Sequence, residues 1–574
     1  MTARGPKNPP VHRLVAMLAV MLLALGAIVV RLAFLQVGDN GQFAEMGLQQ
    51  RVRTVDLPAH RGEILDRFGM PLALTRAAKD IYVNPTLVED PEGEAATIAD
   101  ILSMKQKDVE QALESDGTFV YLQRQVDLDI ADELEAQQLP GIGFLEVPQR
   151  YYPAGSLAPQ VLGLVDVDGK GISGLETQYQ TQLAGTPGER TAELSADGLP
   201  ISSGLDTLTE PVPGTTVVTT IDRQMQFMAQ TALERAVQAN GALGGTVVVM
   251  DPHTGDVYAM ATYPWFDPND FSGASQDAMR NRAVTDSFEP GSVNKIITAA
   301  AALETGSVSL DQRFRVPSSM QVGPFTIYDS HVHPIETMTL GDIIAESSNI
   351  GAALVANEVG NEQLGAYMQR FGYGQPTGIG FPGEASGVLL PASQWDEVIR
   401  ATVSYGQGIS VTPMQMADVY ATIANGGRWV QPRLVRGFEG PDGSFSDAPE
   451  QRTRRVVSPT TADLLTRMLA YVVEDGTGAE AQIPGYQVAG KTGTSRKLDD
   501  SGHYVQRYMA SFVGFLPASD PRVVIAVSID EPRTVYGGLA AAPLFQEIAR
   551  YAIQRLSIPA SPPVALPPHA QELP

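Results

Sequence analysis

Leu14 to Val30 is an unbroken run of 17 apolar residues, resumed as Leu32-Ala33-Phe34-Leu35 after the single Arg31. A helix rises 1.5 Å per residue, so about 20 such residues cross a hydrocarbon core of about 30 Å, with Arg31 snorkelling to the interface. A cleaved leader would have an apolar region of only about 7–15 residues followed by a small-residue cleavage site. No convincing Ala-x-Ala site follows this run. A buried helix of a soluble protein would carry a polar face, which is missing here. Residues 14–35 therefore read as an uncleaved transmembrane anchor.

Before Asp39 the chain has Arg4, Lys7, Arg13 and Arg31 and no acid, so this end is +4 while the whole chain is −25. Basic flanks stay in the cytoplasm, which predicts a cytoplasmic tail over 1–13 and an acidic bulk, carrying −29, outside the cell membrane. An acidic exterior offers no footprint for phosphates, so nucleic acid is not an expected partner. Cysteine is absent, which removes thiolate catalysis, disulfides and cysteine-held metals. The length, 574 residues, allows three or four domains at about 150 residues each.

Residues 36–60 read as a mixed connector. A strand, a turn at Phe68-Gly69 and a second strand lie around Arg61 to Ala73, residues 90–140 read as helical, and 141–214 as irregular and β-rich. From Gly214 to about 556 the pattern is that of one large α+β domain. Asp222 caps a helix, Gly244 to Met250 and Asp256 to Met260 form a hairpin, and Val523 to Ile529 supplies a further strand. Antiparallel strands from the domain's two ends thus enclose a helical lobe. Residues 557–574 contain six prolines and read as a disordered tail.

Ser292-Val293-Asn294-Lys295 follows Glu289-Pro290-Gly291 and opens an Ala- and Ile-rich helix that stops at Gly306. A serine hydroxyl is a weak nucleophile that needs a base, and a desolvated lysine one turn away can be that base. Alone, such a tetrapeptide also reads as a helix cap. In Ser347-Ser348-Asn349, Ser347 is placed to relay a proton and Asn349 to bond a substrate amide; alone it reads as a polar turn between helices. In Lys491-Thr492-Gly493-Thr494, a fixed cation, two hydroxyls and a glycine that lets a ligand approach the backbone suit a carboxylate. The plain alternative is an edge strand guarded by lysine. His331-Val332-His333 suggests a ligand pair, but no third ligand cluster accompanies it, so neither metal nor cofactor is expected.

Together, in this order, the three motifs are the serine–lysine acyl-transfer set of penicillin-binding proteins and class A β-lactamases. From the anchor to about Arg555 the chain resembles a class B penicillin-binding protein, a peptidoglycan D,D-transpeptidase. Arg61-Gly62-Glu63-Ile64 with Asp66-Arg67 and Gly69, Arg150-Tyr151-Tyr152-Pro153 and Gly174-Leu175-Glu176 are similar to the family's non-catalytic motifs. Ser404-Tyr405-Gly406-Gln407-Gly408, Thr412-Pro413-Met414-Gln415 and Tyr508 to Phe515 also match. The resemblance implies an elongated pedestal of dimerisation type over 36–213 and a serine β-lactamase-like transpeptidase domain over 214–556.

It further implies roles. Ser292 attacks the penultimate D-Ala carbonyl of a stem peptide, Lys295 is the base, and the amides of Ser292 and Thr494 hold the oxyanion. Ser347 and Asn349 serve the leaving group and substrate amide, while Lys491, Thr492, Gly493 and Thr494 receive the terminal carboxylate. β-Lactams should acylate Ser292. Asp329-Ser330-His331 ahead of Ser347 resembles the cell-division (FtsI-type) subfamily, whose partners are a SEDS-type glycosyltransferase and small bitopic division proteins. The alternatives are an elongation-type transpeptidase, a β-lactam-hydrolysing enzyme, or a silent division scaffold.

Overall fold

The computed structural model describes residues 11–34, 36, 51–193, 205–499, 501–560 and 562–567. The apolar run forms the helix Val11–Ala33, with no buried residue and Arg31 in its last turn. Its 23 residues extend about 34 Å, enough to cross a membrane. The same compact unit, residues 1–59 with 186–212, contains the antiparallel strands Val52–Leu57, Gly188–Glu193 and Asp206–Thr209. Val52 lies opposite Glu193, and Ala192 opposite Asp206.

The second unit, residues 60–185 with 213–574, is built on a five-stranded antiparallel sheet. Its order is Val257–Tyr263, Gly244–Met250, Val523–Asp530, Tyr504–Leu516 and Ala489–Leu498. As the sequence predicts, strands from both ends of the domain meet: Val524 pairs with Met250 and Asp530 with Gly244. Gly244–Met250 is buried throughout because both sheet faces are covered. Val247 and Val249 pack with Leu233, Phe545 and Ile548 from the helices Arg223–Asn240 and Ala542–Arg555. Val248 and Met250 point the other way, into a core shared with Ile297, Met416 and Tyr420.

Local caps fix the helix starts. Asp222 Oδ1 accepts from the Gln224 and Met225 amides at 3.0 and 3.1 Å. Thr412 and Gln415 form a reciprocal capping box at the head of Pro413–Ala424.

A second sheet draws strands from well-separated parts of the chain. Val435–Glu439 and Thr216–Thr219 pair with each other, and Thr216–Thr219 then pairs in parallel with Ile64–Leu65, Ile64 facing Val217. Strands from either side of residue 213 are thus hydrogen-bonded neighbours, while 186–212 groups with the first unit. A change of composition marks a change of texture; it does not say which strand will be a partner. The 90–140 stretch is helical over Pro91–Leu102, Gln106–Leu113 and Leu128–Glu135, but Val120–Asp127 is a strand. Short helices, Pro159–Leu162, Gly174–Gln178 and Gln180–Leu183, interrupt the region expected to be β-rich. The tail also differs from expectation where it is described: Ser519 Oγ donates to the Pro562 carbonyl at 2.6 Å, and the Val564 amide to Gln487 Oε1 at 2.7 Å.

The pedestal-type motifs converge on one buried carboxylate. Glu176, fully buried, accepts from Arg61 Nε at 2.6 Å and Arg150 Nε at 2.7 Å. Arg61 also reaches the Gly169 and Glu176 carbonyls, and Arg150 that of Gly62, so three distant segments are tied together. Removing one member of such a group leaves buried charge uncompensated. Glu176→Gln is expected to cost about 3 kcal/mol and to lower the thermal unfolding midpoint of the full-length chain in detergent; an unchanged midpoint would show the group to be dispensable.

Candidate active site

Ser292 lies on a 3₁₀ turn, Gly291–Asn294, that runs directly into the helix Lys295–Glu304. The helix expected to open at the serine therefore begins with a tighter turn. The 403–406 segment grips this turn. Asn294 Nδ2 donates to the Val403 carbonyl at 2.8 Å, Thr298 Oγ1 to that of Ser404 at 2.7 Å, and the Gly291 amide to that of Gly406 at 3.1 Å. Tyr420 Oη donates to the Val293 carbonyl at 3.0 Å from the capped helix. Gly406 has φ 87°, and a Cβ there would lie 2.2 Å from the Gly291 oxygen, so no other residue fits.

Lys295 is completely buried. Its Nζ donates to the Ser347 carbonyl and, at 2.8 Å, to Asn349 Oδ1, and it lies 3.3 Å from Ser347 Oγ. Burial pushes its pKa well below the usual lysine value; the nearby Lys491 charge adds to this and Asp329 opposes it. A neutral amine has two N–H bonds, which these two acceptors use, leaving a lone pair to take a hydroxyl proton.

Ser347 occupies the turn between the helices Leu340–Ala345 and Asn349–Val359 with φ 62°. That left-handed conformation costs about 1–2 kcal/mol for a residue with a Cβ, and it turns both the carbonyl and the hydroxyl of Ser347 toward one amine.

Lys491 is also fully buried, on the edge strand Ala489–Leu498. Its Nζ lies 3.3 Å from Thr492 Oγ1 and 3.4 Å from Thr477 Oγ1, and burial lowers its pKa to about 7 while Glu346 opposes the shift. Thr494 Oγ1 accepts from the Gly537 amide at 3.0 Å. Gly493 is needed for packing against the protein itself: a Cβ would meet Ser511 Oγ at 2.3 Å and the Pro290 oxygen at 3.0 Å. A Cβ on Gly291 would sit 3.0 Å from the Thr494 oxygen, which places the Ser292 turn against the lysine strand.

The structure thus brings Ser292, Lys295, Ser347, Asn349 and the Lys491–Thr494 stretch into one neighbourhood. Sequence reasoning missed Glu289, whose carboxylate accepts from Tyr504 Oη at 2.9 Å and the Gly408 amide at 2.7 Å, tying the nucleophile loop to two neighbouring segments. Only its place three residues before Ser292 hinted at this. It also missed what Asp329 does, having used it as a subfamily mark.

An amine whose pKa is lowered by burial, beside serines on separate turns and opposite a second lysine able to fix an anion, is equipped for acyl transfer through a serine ester. The comparisons with known proteins agree. The family of the penicillin binding protein transpeptidase domain matches residues 245–550, and that of the penicillin-binding protein dimerisation domain matches 56–219. The chain is 37% identical to penicillin-binding protein PbpB of Mycolicibacterium smegmatis over 95% of this chain and 90% of that one. It is 34% identical to peptidoglycan D,D-transpeptidase FtsI of Escherichia coli over 94% and 91%. The crystal structure of penicillin binding protein 3 from Mycobacterium tuberculosis complexed with aztreonam superposes with a TM-score of 0.71 at 34% identity, covering 90% of this chain and all of that one. The chain belongs to the class B penicillin-binding proteins, serine-type peptidoglycan D,D-transpeptidases.

Proposed function

We propose that Ser292 is the acylated nucleophile, Lys295 its base, and Ser347 the donor that protonates the departing D-Ala amine. Asn349 bonds the substrate amide, and the amides of Ser292 and Thr494 receive the oxyanion. Lys491, with Thr492 and Thr494 around Gly493, binds the terminal carboxylate of the stem peptide or of a β-lactam. An amine from a second stem peptide then displaces the enzyme and leaves the cross-link. The observation that carries these roles is the buried Lys295 Nζ, bonded to the Ser347 carbonyl and Asn349 one turn after Ser292.

The domain assignment is part of this proposal: cytoplasmic tail 1–13, anchor 14–35, pedestal 36–213 and transpeptidase domain 214–556. The +4 end supports a cytoplasmic N-terminus with the catalytic domain outside. Resemblance at Asp329-Ser330-His331 supports septal synthesis, with a SEDS-type glycosyltransferase and bitopic division proteins as partners. A fluorescent fusion enriched at the septum of dividing cells is the expected result; lateral distribution would favour an elongation role.

Biochemically, the full-length chain supplied with nascent glycan strands is expected to yield dimeric muropeptides by mass spectrometry and to lose this on β-lactam treatment. Rapid nitrocefin turnover without cross-links would instead mark a hydrolase.

The lysine shifts also set a pH profile. Lys295 acts as base only when neutral, and burial lowers its pKa in the direction that favours this form. Lys491 attracts a carboxylate only when protonated, a state present below about 7 and lost above it. The second-order acylation rate of the free enzyme by a carboxylate-bearing penicillin is therefore expected to fall above about pH 7, and Lys491→Met to flatten that limb at a lower rate. A limb unchanged in Lys491→Met would remove the assignment.

A further inference from the structure

We infer that Asp329 and His333 form a positioning pair that holds the Ser347-Ser348-Asn349 turn against Lys295. The inference rests on the acyl-enzyme reading above and concerns what keeps the base aligned.

Asp329 lies in the loop between the strands Phe325–Tyr328 and Glu336–Met338. Its carboxylate touches three successive residues of the turn. Oδ1 accepts from the Asn349 amide at 2.5 Å and the Ile350 amide at 3.0 Å; Oδ2 accepts from Ser348 Oγ at 2.7 Å. An anion is thereby set at the head of the helix Asn349–Val359, where unpaired amides favour it. The Asn349 side chain is held as well, its Nδ2 donating to the Tyr328 carbonyl at 2.9 Å while its Oδ1 faces Lys295. Immediately before this gripped stretch sits Ser347 in its left-handed conformation. A strained residue keeps its geometry only where its surroundings over-determine it, and Asp329 provides that on the C-terminal side.

His333 completes the pair. Its side chain is 5% exposed and that of Asp329 3%. Nε2 lies 3.1 Å from Asp329 Oδ2 and Nδ1 lies 2.7 Å from the Pro334 carbonyl. Both neighbours are acceptors, so only the doubly protonated ring satisfies both. The other charged or titratable groups facing the ring are Glu336, 3.9 Å from Nδ1, and His331, whose ring centroid is 5.5 Å away; Lys295 lies beyond Asp329. Burial opposes the charged ring, but the bonds to Asp329 and Pro334 outweigh it and raise the pKa. The imidazolium is therefore present below that raised value and is lost as pH rises through it, which slackens the hold on Asp329. This control is separate from the titration of Lys491.

The test measures the second-order rate of acylation by a fluorescent penicillin across pH, together with thermal midpoints, on full-length protein in detergent. Asp329→Asn keeps an acceptor for the two amides but turns a donor toward Ser348 and His333. It is expected to acylate roughly 10- to 100-fold more slowly, with the loss of rate persisting at temperatures well below its lowered midpoint, where the protein is fully folded. His333→Leu is expected to lose rate similarly, and His333→Gln, which retains a donor, to restore most of it while removing one component of the alkaline limb. The proposal is overturned if Asp329→Asn and His333→Leu acylate within about twofold of wild type, or if rates drop only as midpoints drop and His333→Gln restores nothing. Ser292→Ala run alongside separates the two levels: labelling there would sink the acyl-enzyme reading itself.

Discussion

Ser292→Ala is expected to abolish covalent labelling by penicillin, with acylation slowed by at least about 10⁴-fold. The substitution removes one oxygen from a half-buried position on the Gly291–Asn294 turn. The contacts that hold this turn come from Asn294, Thr298, Tyr420 and the Gly291 amide, and all of them remain. The thermal midpoint should consequently stay within the small range typical of substitutions that break no buried interaction. Intact-mass measurement after penicillin treatment gives the answer directly. A stoichiometric adduct on the alanine protein would mean another nucleophile, with Ser347 the next hydroxyl beside the buried amine.

The second large effect is expected at Lys295. Lys295→Met preserves most of the volume inside the Ile296-, Ile297- and Ala-rich helix yet deletes the amine. Loss of a general base is expected to slow acylation by about 10³-fold, equivalent to about 4 kcal/mol of barrier. The Ser347 carbonyl and Asn349 Oδ1 also lose their shared donor, so a smaller loss of stability accompanies the kinetic one. Lys295→Arg should not rescue the rate, because a guanidinium stays protonated and cannot accept the serine proton. Acylation of Lys295→Met within tenfold of wild type would remove lysine from the base role and point to water or Ser347.

These two residues were legible from the chain because their signals are local. Ser292 and Lys295 are three positions apart on a helix start, the Lys491 strand alternates before a glycine, and the Thr412–Gln415 box spans one turn. The anchor is similarly local, a single run of 23 helical residues. The central sheet was legible for a related reason: strands covered on both faces carry continuous apolar runs such as Gly244–Met250 and Val523–Asp530. What failed involved a choice of partner. Val120–Asp127 became a strand within a helical neighbourhood because Pro71–Val83 pairs with it, Lys79 opposite Val126.

The sequence by itself determined the class of chemistry: a cysteine-free chain with an apolar anchor and one ordered serine–lysine–asparagine–threonine set. Only the tertiary structure decided how that chemistry is poised. Burial, not lysine as such, lowers the pKa of Lys295, and the strain at Ser347 and the hold of Asp329, 18 residues away, appear in no local pattern. The physical reason is range: capping and helix formation act within about four residues and leave a mark on the sequence. Desolvation and carboxylate placement arise where segments far apart along the chain are packed together, and no short stretch of sequence encodes them.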